Sequence, residues 1–67
     1  MTTRERFVMR LKKLRAERGM TQEALAEKAG ISRSYIARLE LGQQDPTLGT
    51  LEKLAKALKV AVANLLE

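Results

Sequence analysis

The sequence predicts an all-α fold, a bundle of five short helices, and three observations point there. Leu and Ala, with many Lys, Arg and Glu, dominate the 67 residues, and all are strong helix formers. Runs of β-branched residues, which favour strands, are missing. Apolar residues recur at three- and four-residue spacing between hydroxyl residues and glycines, the punctuation of capped helices. The length suits one domain, residues 1–67, near the lower limit at which a core is self-sufficient. Phe7 and Tyr35 are the only aromatic residues, so that core is built from Leu, Ile, Val and Ala.

The first helix is expected from about Thr3 to Arg18. Phe7, Leu11 and Leu14 fall at i, i+4 and i+7 and form one apolar stripe, with Val8 and Arg15 alongside. Gly19 supplies a left-handed stop just past its end. Thr21 caps a second helix, which Gln22, Glu23 and Ala24 open and Gly30 closes. Its inward face is Leu25, Ala26 and Ala29. At about two turns it is too short to stand alone in water, and its neighbours must hold it.

Ser32 caps a third helix, Arg33 to about Leu41, which ends at Gly42. Ile31 before the cap and Ile36 beyond it have the spacing of a hydrophobic staple. Ile36 and Leu39 point inward, which leaves Arg33, Ser34, Ala37 and Arg38 outward. After the polar loop Gln43-Gln44-Asp45-Pro46, Thr47 caps a fourth helix that runs through Leu58. Leu48, Leu51, Leu54, Ala55 and Leu58 make its apolar stripe, and Gly49 in its first turn has no evident purpose. A fifth helix, about Val62–Leu66, is too apolar to be a free tail.

Several classes of chemistry drop out. With no Cys and no His, disulfides, thiolate metal sites and imidazole catalysis are unavailable. Lys, Glu and Tyr could do acid–base work, but no cluster or phosphate loop places them, so an enzyme is not expected, nor a cofactor or small-molecule ligand. No apolar run approaches a membrane span and no signal-peptide core is present, so a cytoplasmic protein is expected. The net charge of +5 is concentrated before residue 20, where seven Lys and Arg face only Glu5 and Glu17. Such a face draws in polyanions, or else is a solvated surface that keeps the protein soluble.

The second and third helices, joined at Gly30-Ile31-Ser32, meet the requirements of a helix-turn-helix over residues 22–41. Ala26 allows close approach of the helices, Gly30 tolerates the positive φ of the turn, and Ile36 and Leu39 anchor the second helix. The run from Thr21 to Ser32, followed by Tyr35-Ile36-Ala37-Arg38-Leu39-Glu40 and Gly42, resembles the Cro/C1-type (Xre) helix-turn-helix family over about residues 11–66.

That resemblance implies a lambda-repressor-like five-helix fold and sequence-specific binding to double-stranded DNA by a transcriptional regulator, with helix 33–41 in the major groove. It implies base reading by Arg33, Ser34 and Arg38, a phosphate contact from Gln22 at a helix N-terminus, and a structural ion pair between Arg15 and Glu40. Arg33 and Arg38 could otherwise be a solvated face. Thr21 can add a phosphate contact to its capping role, Gln43 can donate to a phosphate, and Tyr35 is either a core-edge residue or a phosphate donor. Arg4, Arg6, Arg10 and Lys13 are further candidates for the DNA backbone. Two departures bear on the expected DNA contacts. Leu41 stands where many members carry Asn or a basic residue, so no polar contact is expected there. The loop 43–45 holds Asp45 and no cation, so backbone anchoring after the third helix should be weaker.

Family members are mostly dimers on palindromic operators, and a homodimer is expected here, with Val60, Val62, Leu65 and Leu66 as its seam unless they only cap the core. Phage repressors, restriction–modification controllers and antitoxins all fit the pattern. The competing function is a protein-interaction module, such as an antitoxin, in which DNA binding is secondary.

Overall fold

The computed structural model describes all 67 residues, and every regular element in it is helical. Helix α1 spans Thr3–Glu17, α2 Gln22–Ala29, α3 Arg33–Glu40 and α4 Leu48–Leu58. The expected fifth helix is instead a single 3-10 turn at Val62–Leu65. Its bonds run over three residues, from Asn64 N–H to Ala61 O and from Leu66 N–H to Ala63 O. The Asn64 side chain accepts from Ala61 N–H at 3.1 Å and tightens the turn, so four residues close on themselves without reaching an α-helical repeat.

Each α-helix starts on a hydroxyl cap. Thr2, Thr21, Ser32 and Thr47 accept from the backbone N–H three residues on. At Thr2 the cap is reciprocal, because Glu5 accepts from Thr2 N–H at 2.7 Å. That contact holds the Glu5 carboxyl below its ordinary range. The Thr-x-x-Glu signal for this box is present in the sequence, one residue before the expected helix start.

The core draws on every element. Phe7, Leu11 and Leu14 of α1 meet Leu25, Ala26 and Ala29 of α2, Ile36 and Leu39 of α3, the Leu51–Leu58 face of α4, and Leu65. Leu48 was expected in the α4 stripe but is 80% exposed. As the first residue of α4 it lies one turn ahead of Leu51, beyond the edge of the core. Leu65 is fully buried, which removes it from any seam between subunits: its side chain is the plug of the final turn. No helix is long and apolar enough to cross a membrane.

Arginines of α1 and of its C-cap fasten later parts of the chain. Arg18 Nε donates to Leu58 O at 2.6 Å, one of the carbonyls left open at the end of α4. Arg10 Nε donates to Asn64 O at 2.9 Å in the final turn. Arg4 pairs with Asp45 through two bonds of 2.7 and 3.0 Å. Much of the charge excess in the first segment is thus engaged within the protein; Arg6, Lys12 and Lys13 are exposed and enter no ion pair.

Candidate nucleic-acid interface

The turn between α2 and α3 is set by Gly30, whose φ of 72° lies in the left-handed region. A Cβ there would meet nothing within 4 Å, so backbone conformation and not space demands glycine. Ile31 N–H then returns to Ala26 O at 3.0 Å and fixes the exit of α2. Ser32 caps the next helix at once, accepting from Tyr35 N–H at 3.1 Å. Ile36 and Leu39 are wholly buried, and the amphipathic period therefore leaves Arg33, Ser34 and Arg38 exposed on one helix.

Arg33 shares a shallow polar depression of about 370 Å³ with Arg15, Thr21, Gln22 and Glu23. The start of α2 lies beside the Arg33 guanidinium there, while Arg15 is already paired with Glu40 and Glu23 adds a carboxylate to the rim. Within the protein the half-buried Gln22 donates from Nε2 to Glu40 Oε1 at 3.0 Å, which leaves it a second N–H. Thr21 serves as the α2 cap, accepting from Ala24 N–H at 3.0 Å.

Glu40 is the polar centre behind this face. Its side chain is only 5% exposed and receives Arg15 Nε at 2.7 Å, Arg15 Nη2 at 3.0 Å and the Gln22 amide. Arg15 also donates from Nη1 to Met20 O at 2.8 Å. The hydrogen bond to Glu40 raises the Arg15 pKa against the opposing effect of burial. One carboxylate on α3 therefore ties α1 and α2 together, and no buried side-chain polar atom in the protein lacks a partner.

At the other end of α3, Arg38 lies over the Tyr35 ring, with Cζ 5.8 Å from the ring centre. Arg38 Nε donates to Gln44 Oε1 at 3.0 Å. Tyr35 is half-buried against the core, and its hydroxyl approaches Thr50 Oγ1 at 3.4 Å, longer than an ordinary hydroxyl hydrogen bond. Gln43 is exposed, and its backbone N–H closes α3 onto Arg38 O at 3.0 Å. Asp45, unfavourable beside a polyanion, is matched by Arg4, which holds its carboxyl below the ordinary range. Leu41 is 70% exposed at the α3 cap. Sequence reading assigned no role to Gln44 or to the Arg4–Asp45 pair. Partners 41 residues apart leave no local signal.

A helix-turn-helix family model matches residues 11–65. The chain belongs to the Cro/C1-type helix-turn-helix family. It is 50% identical over 54 residues to the immunity repressor protein of Bacillus phage phi105, covering 81% of this chain and 38% of the repressor. It is 41% identical over 59 residues to the transcriptional regulator SinR of Bacillus subtilis, covering 87% of this chain and 53% of SinR. The chain thus spans about half or less of the length of these two regulators. Among solved structures, the restriction-modification controller protein C.AhdI from Aeromonas hydrophila has a TM-score of 0.87 at 40% identity, with 90% of this chain and 91% of that one covered. The controller protein C.Esp1396I gives 0.86 at 36% identity, covering 91% and 79%. All-α architecture with a Cro/C1-type helix-turn-helix is common ground with both controllers.

Proposed function

We propose that this domain binds double-stranded DNA sequence-specifically as part of a transcriptional regulator, with α3 in the major groove. The observation that carries the reading is the sharing of one polar depression by Arg33, at the head of α3, and Gln22, at the head of α2. A helix entering the groove at that point brings its exposed Arg33, Ser34 and Arg38 to base edges while the α2 N-terminus meets the flanking phosphate. Tyr35, Thr21 and Gln43 stand at the margins as backbone contacts. The relatives support the regulatory role: they include a phage immunity repressor and SinR.

The domain acts as a homodimer on a palindromic operator in this reading. Val60, Val62 and Leu66 are half-buried on the core margin and form the seam. The absence of helices able to span a bilayer agrees with a protein that works on DNA in the cytoplasm.

Selection of binding sites from a random duplex pool tests the reading, because symmetric half-sites would also report dimerisation. On the selected site, Arg38→Ala should abolish preference for one base pair per half-site without unfolding the protein. Gln22→Ala should weaken binding to every duplex alike. A pool that yields no enriched sequence would sink the proposal.

A further inference from the structure

The exposed Arg38 guanidinium is held from two sides within the free protein. Its Cζ lies over the Tyr35 ring, 5.8 Å from the centre, and Gln44 occupies its Nε–H. A guanidinium has donors only, so the Gln44 amide must turn its oxygen toward Arg38, as found.

The choice of edge matters. An arginine can grip a pair of acceptors either side-on, through Nε and one terminal nitrogen, or end-on, through both terminal nitrogens. Arg15 and Arg4 both take their carboxylates side-on, through Nε and Nη2. Arg38 has that edge blocked by Gln44, and the end-on edge is the one left open for two acceptors.

Gln44 is itself located by its neighbours on either side. Gly42, with φ 71°, lets Gln43 N–H close on Arg38 O, which folds the loop back over the same residue. One residue later, Asp45 is fastened to Arg4 by two bonds. The loop is thus pinned on both sides of the one side chain that touches Arg38 at its Nε.

We propose that Gln44 is a positioning residue for base reading, which fixes Arg38 so that its two terminal nitrogens meet the paired acceptors of a guanine. This rests on the reading of Arg38 as a base contact. Gln44 sharpens preference at the base pair under Arg38 by removing the side-on alternative and by ordering a long side chain before DNA arrives.

The test uses the full chain and the duplex selected from the random pool, with single-base-pair variants of it. Gln44→Ala should lower the preference at one base-pair position about fivefold, the cost of ordering one long side chain. That position should be the one Arg38→Ala makes indifferent. Affinity for random duplex and the thermal midpoint should not move. Gln44→Glu, which keeps an acceptor at Nε, should retain the preference at that position while its added charge weakens binding to every duplex. Gln44→Ala should do nothing further in an Arg38→Ala background.

Equal losses on all duplexes in Gln44→Ala would make Gln44 a phosphate contact and overturn the inference, as would an effect that survives in the Arg38→Ala background. If Arg38→Ala changes preference and Gln44→Ala does not, the inference alone fails. If Arg38→Ala leaves every preference intact, the base-contact reading beneath it fails as well.

Discussion

Arg15 and Glu40 meet side-on, at 2.7 and 3.0 Å, with the carboxylate almost wholly enclosed and the guanidinium about one-fifth exposed. The pair repays its desolvation because the remaining polar valences are met, by Gln22 on one side and Met20 O on the other. Arg15→Met strands the Glu40 charge in the interior and should cost about 3 kcal/mol, read as a fall in the urea midpoint. The double variant Arg15→Met/Glu40→Leu should recover most of that loss. Additive costs would show that each side chain acts alone.

Leu65 and Leu66 are neighbours with opposite consequences. Leu65→Ala empties part of the core and should destabilise by about 2–5 kcal/mol at any protein concentration. Leu66→Lys should leave the fold standing and weaken self-association, visible in sedimentation. A monomeric wild type would remove the seam altogether.

Two backbone positions run against their local preference. Lys59 ends α4 at φ 58°, in the left-handed region that glycine occupies after the three preceding helices. Lys59→Gly should raise stability by about 1 kcal/mol in chemical denaturation. Gly49 has no positive φ, and a Cβ would meet only Thr47 Oγ1 at 3.8 Å, an ordinary contact. Gly49→Ala should therefore add about 0.5–1 kcal/mol. If instead it leaves the fold intact and weakens binding to DNA, the bare backbone at that point has a role on the duplex.

Acid should loosen α1 first. The carboxyls of Asp45 and Glu5 sit below their ordinary values of 3.8 and 4.5 in the folded chain. Arg4 is the cause for Asp45, and the Thr2 backbone N–H followed by its side chain for Glu5. A depressed folded pKa stabilises above the unfolded value, and the contribution fades as pH falls through that value to the folded one. The thermal midpoint should decline below about pH 4.5, and less steeply in Asp45→Asn. An unchanged slope in that variant would show that the exposed Arg4 pair contributes nothing.

Much of this architecture is written locally. Thr21, Ser32 and Thr47 mark helix starts, and Gly30 and Gly42 mark ends, because capping and left-handed turns depend on a few adjacent residues. The exposed face of α3 follows from the helical period that buries Ile36 and Leu39. The exposure of Leu48 and the burial of Leu65 were hidden, since periodicity gives a face but not where the core stops. The occupations of Arg10 and Arg18 were hidden too. Composition reports their charge, whereas their partners are carbonyl groups, which every residue carries.

Those arginine clasps also order events in time. Arg4, Arg18 and Arg10 reach partners 41, 40 and 54 residues further along. During synthesis α1 is made before the groups it grips on Asp45, Leu58 and Asn64. Until those groups are made, α1 has only its own cap and near partners such as Met20 O, while the capped helices behind it form from nearby residues. Within this domain the clasps of α1 are thus completed after the shorter-range contacts of the helices that follow it.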